Sequence, residues 1–357
     1  MRAAVFVEKH QPLVVEELAP VDPGPRDLVV RVTASGVCHS DLSIVNGTLP
    51  GGPQILGHEG TGIVEEVGSE VRHVAVGDRV IGTFIPACGI CWFCLHDQSN
   101  LCEEAFPVMF TPRAHRGDGT ELTTFCGLGT FSDYMTVSEI SVVKVESDLP
   151  DEQLALLGCA VTTGVGAALN TARVEPGSSV AVFGCGGVGQ SVIQGARIAG
   201  AAIIVAIDPV AGKRDAALSL GATHVVDPSA DDTVQAVRDL TGGRGADYSF
   251  EAIGLDATLR QAFAVSRRGG ATIAVGVHQV GTDVTIPSYA LVLEERRILG
   301  TVYGSSQVRR ELPRLLEFAE DGRLDLASMV TRTVPLDDVN EAFRAMEAGE
   351  VIRSVIV

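Results

Sequence analysis

Aromatic side chains are scarce in this 357-residue chain: Phe, Tyr and Trp make up 5% of it, with one Trp, so its cores must rest on aliphatic Val, Ile, Leu and Ala. Positive charge is short as well. Lys and Arg number 27 against 45 Asp and Glu, a formal net charge of −18, and no basic run exceeds a pair. Nucleic acid and anionic membrane are therefore excluded as partners. No run of eighteen apolar residues without charge occurs, so no membrane span is expected. The opening MRAAVFVEKHQPLVVEE lacks the basic, apolar and small-residue parts of a secretory leader, and the expected compartment is the cytoplasm. Internal repeats and low-complexity segments are absent.

What is present is 46% apolar content, 40 glycines and eight cysteines, and the length is most simply read as two domains. To about residue 155, short β-like runs such as LVVRV (28–32), TGIVEEVG (61–68) and DRVIG (78–82) are separated by Gly and Pro, which reads as a largely antiparallel half. From residue 181 apolar strands at 181–184, 203–208, 224–227, 248–254 and 271–277 alternate with helical stretches, among them VGQSVIQGARIAG, KRDAALSLG and TLRQAFAVSRRGG (258–270). That is the form of a parallel sheet with crossover helices. ELPRLLEFAEDG and DDVNEAFRAMEAGE read as amphipathic helices, and SVIV as a last strand.

Four of the eight cysteines fall in CGICWFCLHDQSNLC. Cys88, Cys91, Cys94 and Cys102 are separated by two, two and seven residues, so one loop offers four soft ligands for a tetrahedral zinc. Four thiolates leave no open coordination position, which makes this centre structural.

The stretch SVAVFGCGGVGQSV places Gly184, Gly186 and Gly189, with Gly187 and Val188 between them, after a predicted strand and before a predicted helix. Glycines there allow a tight turn and close approach of backbone to a pyrophosphate, which the helix N-terminus attracts. Asp208 ends the next strand nineteen residues after Gly189, where an acid accepts the ribose hydroxyls and repels a 2′-phosphate; NAD is favoured over NADP. Lys213 and Arg214 either border the ribose or form a solvated helix start.

A zinc that does chemistry needs ligands and an open position. GVCHSD (36–41), GHEGTG (57–62) and LLGCAVTTG (156–164) offer them, although Cys38, His58 or Cys159 alone reads equally as a core residue. Together with the four-cysteine loop, the glycine turn with Asp208 and GEVIRSVIV, these motifs resemble, over essentially the whole chain, the zinc-dependent alcohol dehydrogenases of the medium-chain dehydrogenase/reductase superfamily. The segment 103–133 is similar to the liver-type, long-loop branch.

The resemblance implies an α/β chain of two parts, a GroES-like β-barrel catalytic domain (1–158 and 302–357) and a Rossmann cofactor domain (159–301), with zinc and nicotinamide in the cleft. It implies Cys38, His58 and Cys159 as ligands of a catalytic zinc, so two zinc ions per chain, with Glu59 and Asp41 behind them. Ser40 would take the alcohol proton. The onward relay histidine of relatives is replaced by Ser43, which cannot act as a base near neutral pH. His39 and Arg353 would meet the pyrophosphate, unless Arg353 is a surface ion pair, and Thr163 and Val277 would meet the nicotinamide.

Thr48, Leu49 and Phe84 align with the substrate pocket and are neutral, pointing to an apolar primary or aromatic alcohol or its aldehyde. A thiol-adduct-dependent formaldehyde dehydrogenase is the second enzyme reading, with Arg113 as the residue that would hold an anionic group. A non-catalytic nucleotide-binding relative is the reading of another class. The family also implies a homodimer or homotetramer joined through the cofactor domains.

Overall fold

Residues 27–36 alternate inward and outward, and this period of two forms a ten-residue strand, β1 (Asp27–Gly36). Leu28 and Val30 pack against Val64, Val80, Leu128 and Met135, while Arg31 points out and pairs with Glu65 at 2.8 Å. The computed structural model describes all 357 residues, in two units: Met1–Ala160 with Gln307–Val357, and Val161–Ser306.

In the first unit β1 leads into helix α1 (His39–Val45). Its start is fixed by Cys38, whose sulfur takes the backbone N–H of Asp41 while the Asp41 carboxylate takes the N–H of Cys38 at 3.3 Å. Strand β2 (Glu59–Val67) runs antiparallel to β1, followed by β3 (Arg79–Gly82). Between β3 and β4 (Tyr134–Ser138) a long excursion carries two short helices, α2 (Trp92–Leu95) and α3 (Ala105–Met109); β5 (Val142–Lys144) then pairs with β3. A second sheet of six short strands includes Arg2–Phe6, Gln54–Ile55 and Glu121–Thr124.

Helix α4 (Ala160–Gly166) crosses into the second unit. There β6 (Ser179–Phe183), β7 (Ile203–Ile207), β8 (His224–Val226), β9 (Ala246–Glu251), β10 (Ser266–Ala274) and β11 (Arg297–Gly300) form one parallel sheet, in spatial order β8-β7-β6-β9-β10-β11. The order reverses between β6 and β9, the switch point outside whose carboxyl ends such sheets bind ligands. The connecting helices are α5 (Gly187–Ile198), α6 (Ala211–Leu220), α7 (Thr233–Leu240), α8 (Asp256–Val265) and α9 (Ser288–Leu293).

The helix expected over 258–270 ends earlier, at Val265. The Ser266 hydroxyl joins those of Ser249 and Thr272 at 2.9 and 2.8 Å inside the sheet, so SRRGG opens β10 and its glycines serve a register shift. Helix α7 and strand β11 carry signals too short to stand out in the sequence; α7 begins at Asp232, whose carboxylate accepts the Gln235 N–H at 3.1 Å.

The chain then returns to the first unit with α10 (Val308–Glu320), β12 (Val330–Val334), α11 (Val339–Glu347) and β13 (Arg353–Ile356). Strand β13 pairs antiparallel with the end of β1, Val355 opposite Gly36 and Ile356 opposite Ser35. Val339, Phe343 and Met346 of α11 pack with Phe6, Leu42 and Phe131. No helix is long and apolar enough to cross a membrane.

Candidate metal centres and cofactor site

Three separate segments of the first unit converge on one buried point. Cys38 caps α1, His58 immediately precedes β2, and Cys159 immediately precedes α4. His58 is placed by Gly57, at φ +92°, where a Cβ would collide with the Phe131 backbone. One ligand atom from each of Cys38, His58, Cys159 and Glu59 lies within 4.8 Å of every other, and all four residues are buried.

Asp41 orders this set. Its Oδ1 lies 3.2 Å from His58 Nδ1 and accepts the Gly57 N–H at 2.9 Å, while Oδ2 accepts the Cys38 N–H. An acceptor at Nδ1 fixes the tautomer and leaves Nε2 with its lone pair for a metal. The rings of Phe84 and Phe125 stand edge-on to the imidazole, with centroids at 5.9 and 5.1 Å.

The electrostatics suit a cation. A hydrogen bond from Cys159 holds the Cys38 thiol well below its ordinary pKa against burial, and the same bond, with burial, pushes Cys159 up. Burial disfavours a charge on His58, yet Asp41 and Cys38 outweigh it and raise its pKa. Burial lifts Glu59 to about 7 against the pull of Arg353, and Glu59 Oε2 is buried with no hydrogen-bond partner. Such a cluster of soft and anionic donors with an orphaned oxygen fits a zinc ion.

Arg353 is not a surface ion pair: it is 3% exposed. Its guanidinium lies 3.1 Å from Glu59 Oε1 and donates to the Val37 carbonyl at 2.9 Å, beside the metal set rather than standing free for a pyrophosphate. Glu59 Oε1 also accepts the Ala160 N–H at 3.1 Å. Along α1, His39 is exposed, and Ser40 and Ser43 are half-buried on one face, three residues apart. Ser40 Oγ is 3.7 Å from Cys38 Sγ. Leu49 donates its N–H to the Ser43 carbonyl and packs on the core, and the Thr48 N–H bonds Asn46.

Sequence reasoning missed Phe125 and Cys126. Cys126 sits at φ +57° beside Phe125, and burial pushes its thiol up to about 12, with His58 pulling the other way. The closely spaced glycines of FCGLG were the available signal.

In the second cluster, Sγ of Cys88 and Cys94 are 3.9 Å apart, as are those of Cys91 and Cys102. A zinc tetrahedron with bonds of ~2.3 Å has edges of about 3.8 Å. Backbone N–H groups already serve the sulfurs: Cys91 to Cys88 at 3.3 Å and Cys88 to Cys102 at 3.3 Å. This donor set fits a zinc with no position left open.

The glycine turn after β6 has Gly184 at φ +86°, and at Gly189 a Cβ would strike the Gly184 carbonyl. At Gly186 a Cβ would meet nothing, which leaves open space before the N-terminus of the twelve-residue α5, where Gly187 and Val188 begin the helix. The buried Asp208 accepts the Cys185 N–H at 2.8 Å through Oδ2 and the Val210 N–H at 2.9 Å through Oδ1. Arg214 is not a solvated helix start: it donates to the Asp208 carbonyl at 2.7 Å and pairs with Asp227 at 3.0 Å. Lys213 is half-buried on α6, and its carbonyl accepts from Gln190. The Thr163 hydroxyl on α4 is buried without a partner, and Val277 is exposed. Open space at the turn and an orphaned hydroxyl fit a dinucleotide.

Residues 24–147 match the alcohol dehydrogenase GroES-like domain and residues 187–321 the zinc-binding dehydrogenase family. An S-(hydroxymethyl)glutathione dehydrogenase of Synechocystis is 40% identical, with 99% of each chain covered. The chain belongs to the zinc-dependent alcohol dehydrogenases of the medium-chain superfamily. The NDMA-dependent alcohol dehydrogenase of Amycolatopsis methanolica is 38% identical over 100% of this dehydrogenase and 98% of the relative. The crystal structure of benzyl alcohol dehydrogenase from Acinetobacter calcoaceticus matches it with a TM-score of 0.93 at 32% identity, covering 99% of this chain and 98% of that one. This alcohol dehydrogenase is thus an enzyme of zinc and a nicotinamide cofactor acting on small alcohols or aldehydes, with a GroES-like and a Rossmann part.

Proposed function

We propose that this dehydrogenase oxidises an apolar primary or aromatic alcohol, or reduces its aldehyde, with NAD and two zinc ions per chain. The observation that carries the reading is the buried donor set of Cys38, His58 and Cys159, with Asp41 on His58 Nδ1. A zinc there supplies a Lewis acid that acidifies an alcohol hydroxyl, and the nicotinamide supplies the hydride acceptor.

The protein's own groups do the rest. Ser40 Oγ, beside Cys38, receives the alcohol proton; Ser43, on the same face of α1, hands it to water, since a serine holds no charge near neutral pH. Phe84 and Phe125 wall the imidazole with apolar surface, which excludes water and favours an uncharged substrate. Thr48 and Leu49 extend that wall. Gly184 to Gly189 hold the pyrophosphate, Asp208 the ribose with Lys213 at its border, and Thr163 and Val277 the nicotinamide. His39, exposed at the start of α1, is available to the pyrophosphate. Asp208 repels a 2′-phosphate, which favours NAD.

The thiol-adduct reading loses its anion holder. Arg113 is 5% exposed and paired with Asp27 at 2.9 Å, so it has no charge to offer a substrate. Joining of copies through the cofactor domains is supported by β11, an edge strand with Ile298 exposed, and by exposed Tyr289, Val292 and Leu293 on α9. Eight free cysteines suit the reducing cytoplasm.

The deciding experiment measures zinc per chain and NADH formation with benzyl alcohol, then with formaldehyde plus a thiol. Two zincs and turnover of benzyl alcohol are expected. One zinc, or turnover only with the thiol adduct, overturns the reading.

A further inference from the structure

Between Ile90 and Phe110 the chain turns six large apolar side chains outward: Ile90, Trp92, Leu95, Leu101, Phe106 and Phe110, each 45% to 78% exposed. Single exposed apolar residues are ordinary, but six within twenty-one positions make a face. Together they offer on the order of 700 Å² of apolar surface, against ~800 Å² that each partner contributes to a stable interface. They are not there to build a core, since α2 buries none of its residues.

The side chains are also held in place. Trp92 stacks on His96 with centroids at 4.2 Å, and Phe106 lies nearly parallel to Phe110 at 6.3 Å. The loop beneath is closed by the four cysteines. A face ordered before it meets a partner loses little conformational freedom on docking.

We propose that this face is an interface between two copies of the chain. A two-fold contact needs a surface complementary to itself. The rim supplies that: Asp97 and Arg310 of α10 stand 4.0 Å apart, 82% and 63% exposed, so each acid can meet the base of the other copy across the axis. The four-cysteine centre then has an assembly role, setting the shape of the docking lobe. This interface is distinct from the exposed β11 edge of the second unit, and it does not depend on which alcohol the enzyme takes.

The test compares the zinc-loaded full chain with two double variants, Ile90→Glu/Leu95→Glu and Phe106→Glu/Phe110→Glu, by sedimentation and light scattering at one concentration. Zinc content and circular dichroism establish which variants keep their fold. The wild type is expected as an oligomer, and a folded double variant at half that mass or less. An unchanged mass in the folded double variants, or a monomeric wild type, overturns the proposal. A mass that falls only with Ile298→Glu also overturns it and leaves the cofactor-domain contact standing.

Discussion

Asp41 Oδ1 reaches both His58 Nδ1, at 3.2 Å, and the Gly57 N–H, at 2.9 Å, while the other carboxylate oxygen accepts the Cys38 N–H. One side chain, 0% exposed, thereby fixes two of the metal-ligand segments relative to each other.

Replacing Asp41 with Asn removes the carboxylate from Nδ1 while preserving size. Zinc affinity at the Cys38 centre is expected to fall about 10- to 100-fold. Competition with a chromophoric chelator measures it, and the four-cysteine zinc, which Asp41 does not touch, serves as the internal reference.

Arg353→Met leaves Glu59 buried without its cation. Breaking a buried pair by removing one partner costs about 3–5 kcal/mol, and both side chains here are at most 4% exposed. Urea denaturation reads the loss, and Arg353→Lys should restore only part of it, because a single ammonium cannot reach Glu59 and the Val37 carbonyl together.

The two clusters should separate under mutation. Cys94→Ser is expected to lower stability and assembly while catalysis per folded chain persists. Cys159→Ser is expected to abolish turnover with the melting temperature lowered less. Zinc content falls from two to one in each case, and metal analysis beside thermal scans and steady-state rates distinguishes them.

A fourth prediction concerns pH. Asp247 accepts the Ser179 N–H and hydroxyl at 2.7 and 2.6 Å and Arg267 Nε at 2.5 Å. Burial opposes the charge, but these donors hold its pKa below the ordinary carboxylate value. A depressed carboxyl contributes stability that is fully present above its unfolded pKa of ~3.9 and fades as pH falls through the folded value. Asp247→Asn should therefore destabilise by about 1–2 kcal/mol at pH 7. The gap from wild type should shrink as pH drops below about 4, which denaturation curves across that range would reveal.

The sequence made the metal donors legible because zinc demands particular atoms at particular spacings, and Cys88 to Cys102 satisfy that within one loop. The glycine turn was legible because it stands between an apolar strand and a helix. Arg353 was misread for a reason of geometry: its partner Glu59 is 294 residues away, and only the β13–β1 register brings them together. Phe125 gave no warning because its position depends on the left-handed backbone of Cys126 next to it. The helix expected to continue to residue 270 failed because the hydroxyls of Ser266, Ser249 and Thr272 find one another only inside a formed sheet.

Strand β13 has a consequence for the order of events during synthesis. The second unit is contiguous, from Val161 to Ser306, and all of it leaves the ribosome before residue 353. Domains fold as units while the chain emerges, so the nucleotide-binding part can be complete while the other still lacks the strand that closes its sheet at Gly36 and the arginine that neutralises Glu59. The four-cysteine loop can take its metal early, whereas the scattered centre waits for the last strand, and the enzyme gains its reactive metal last.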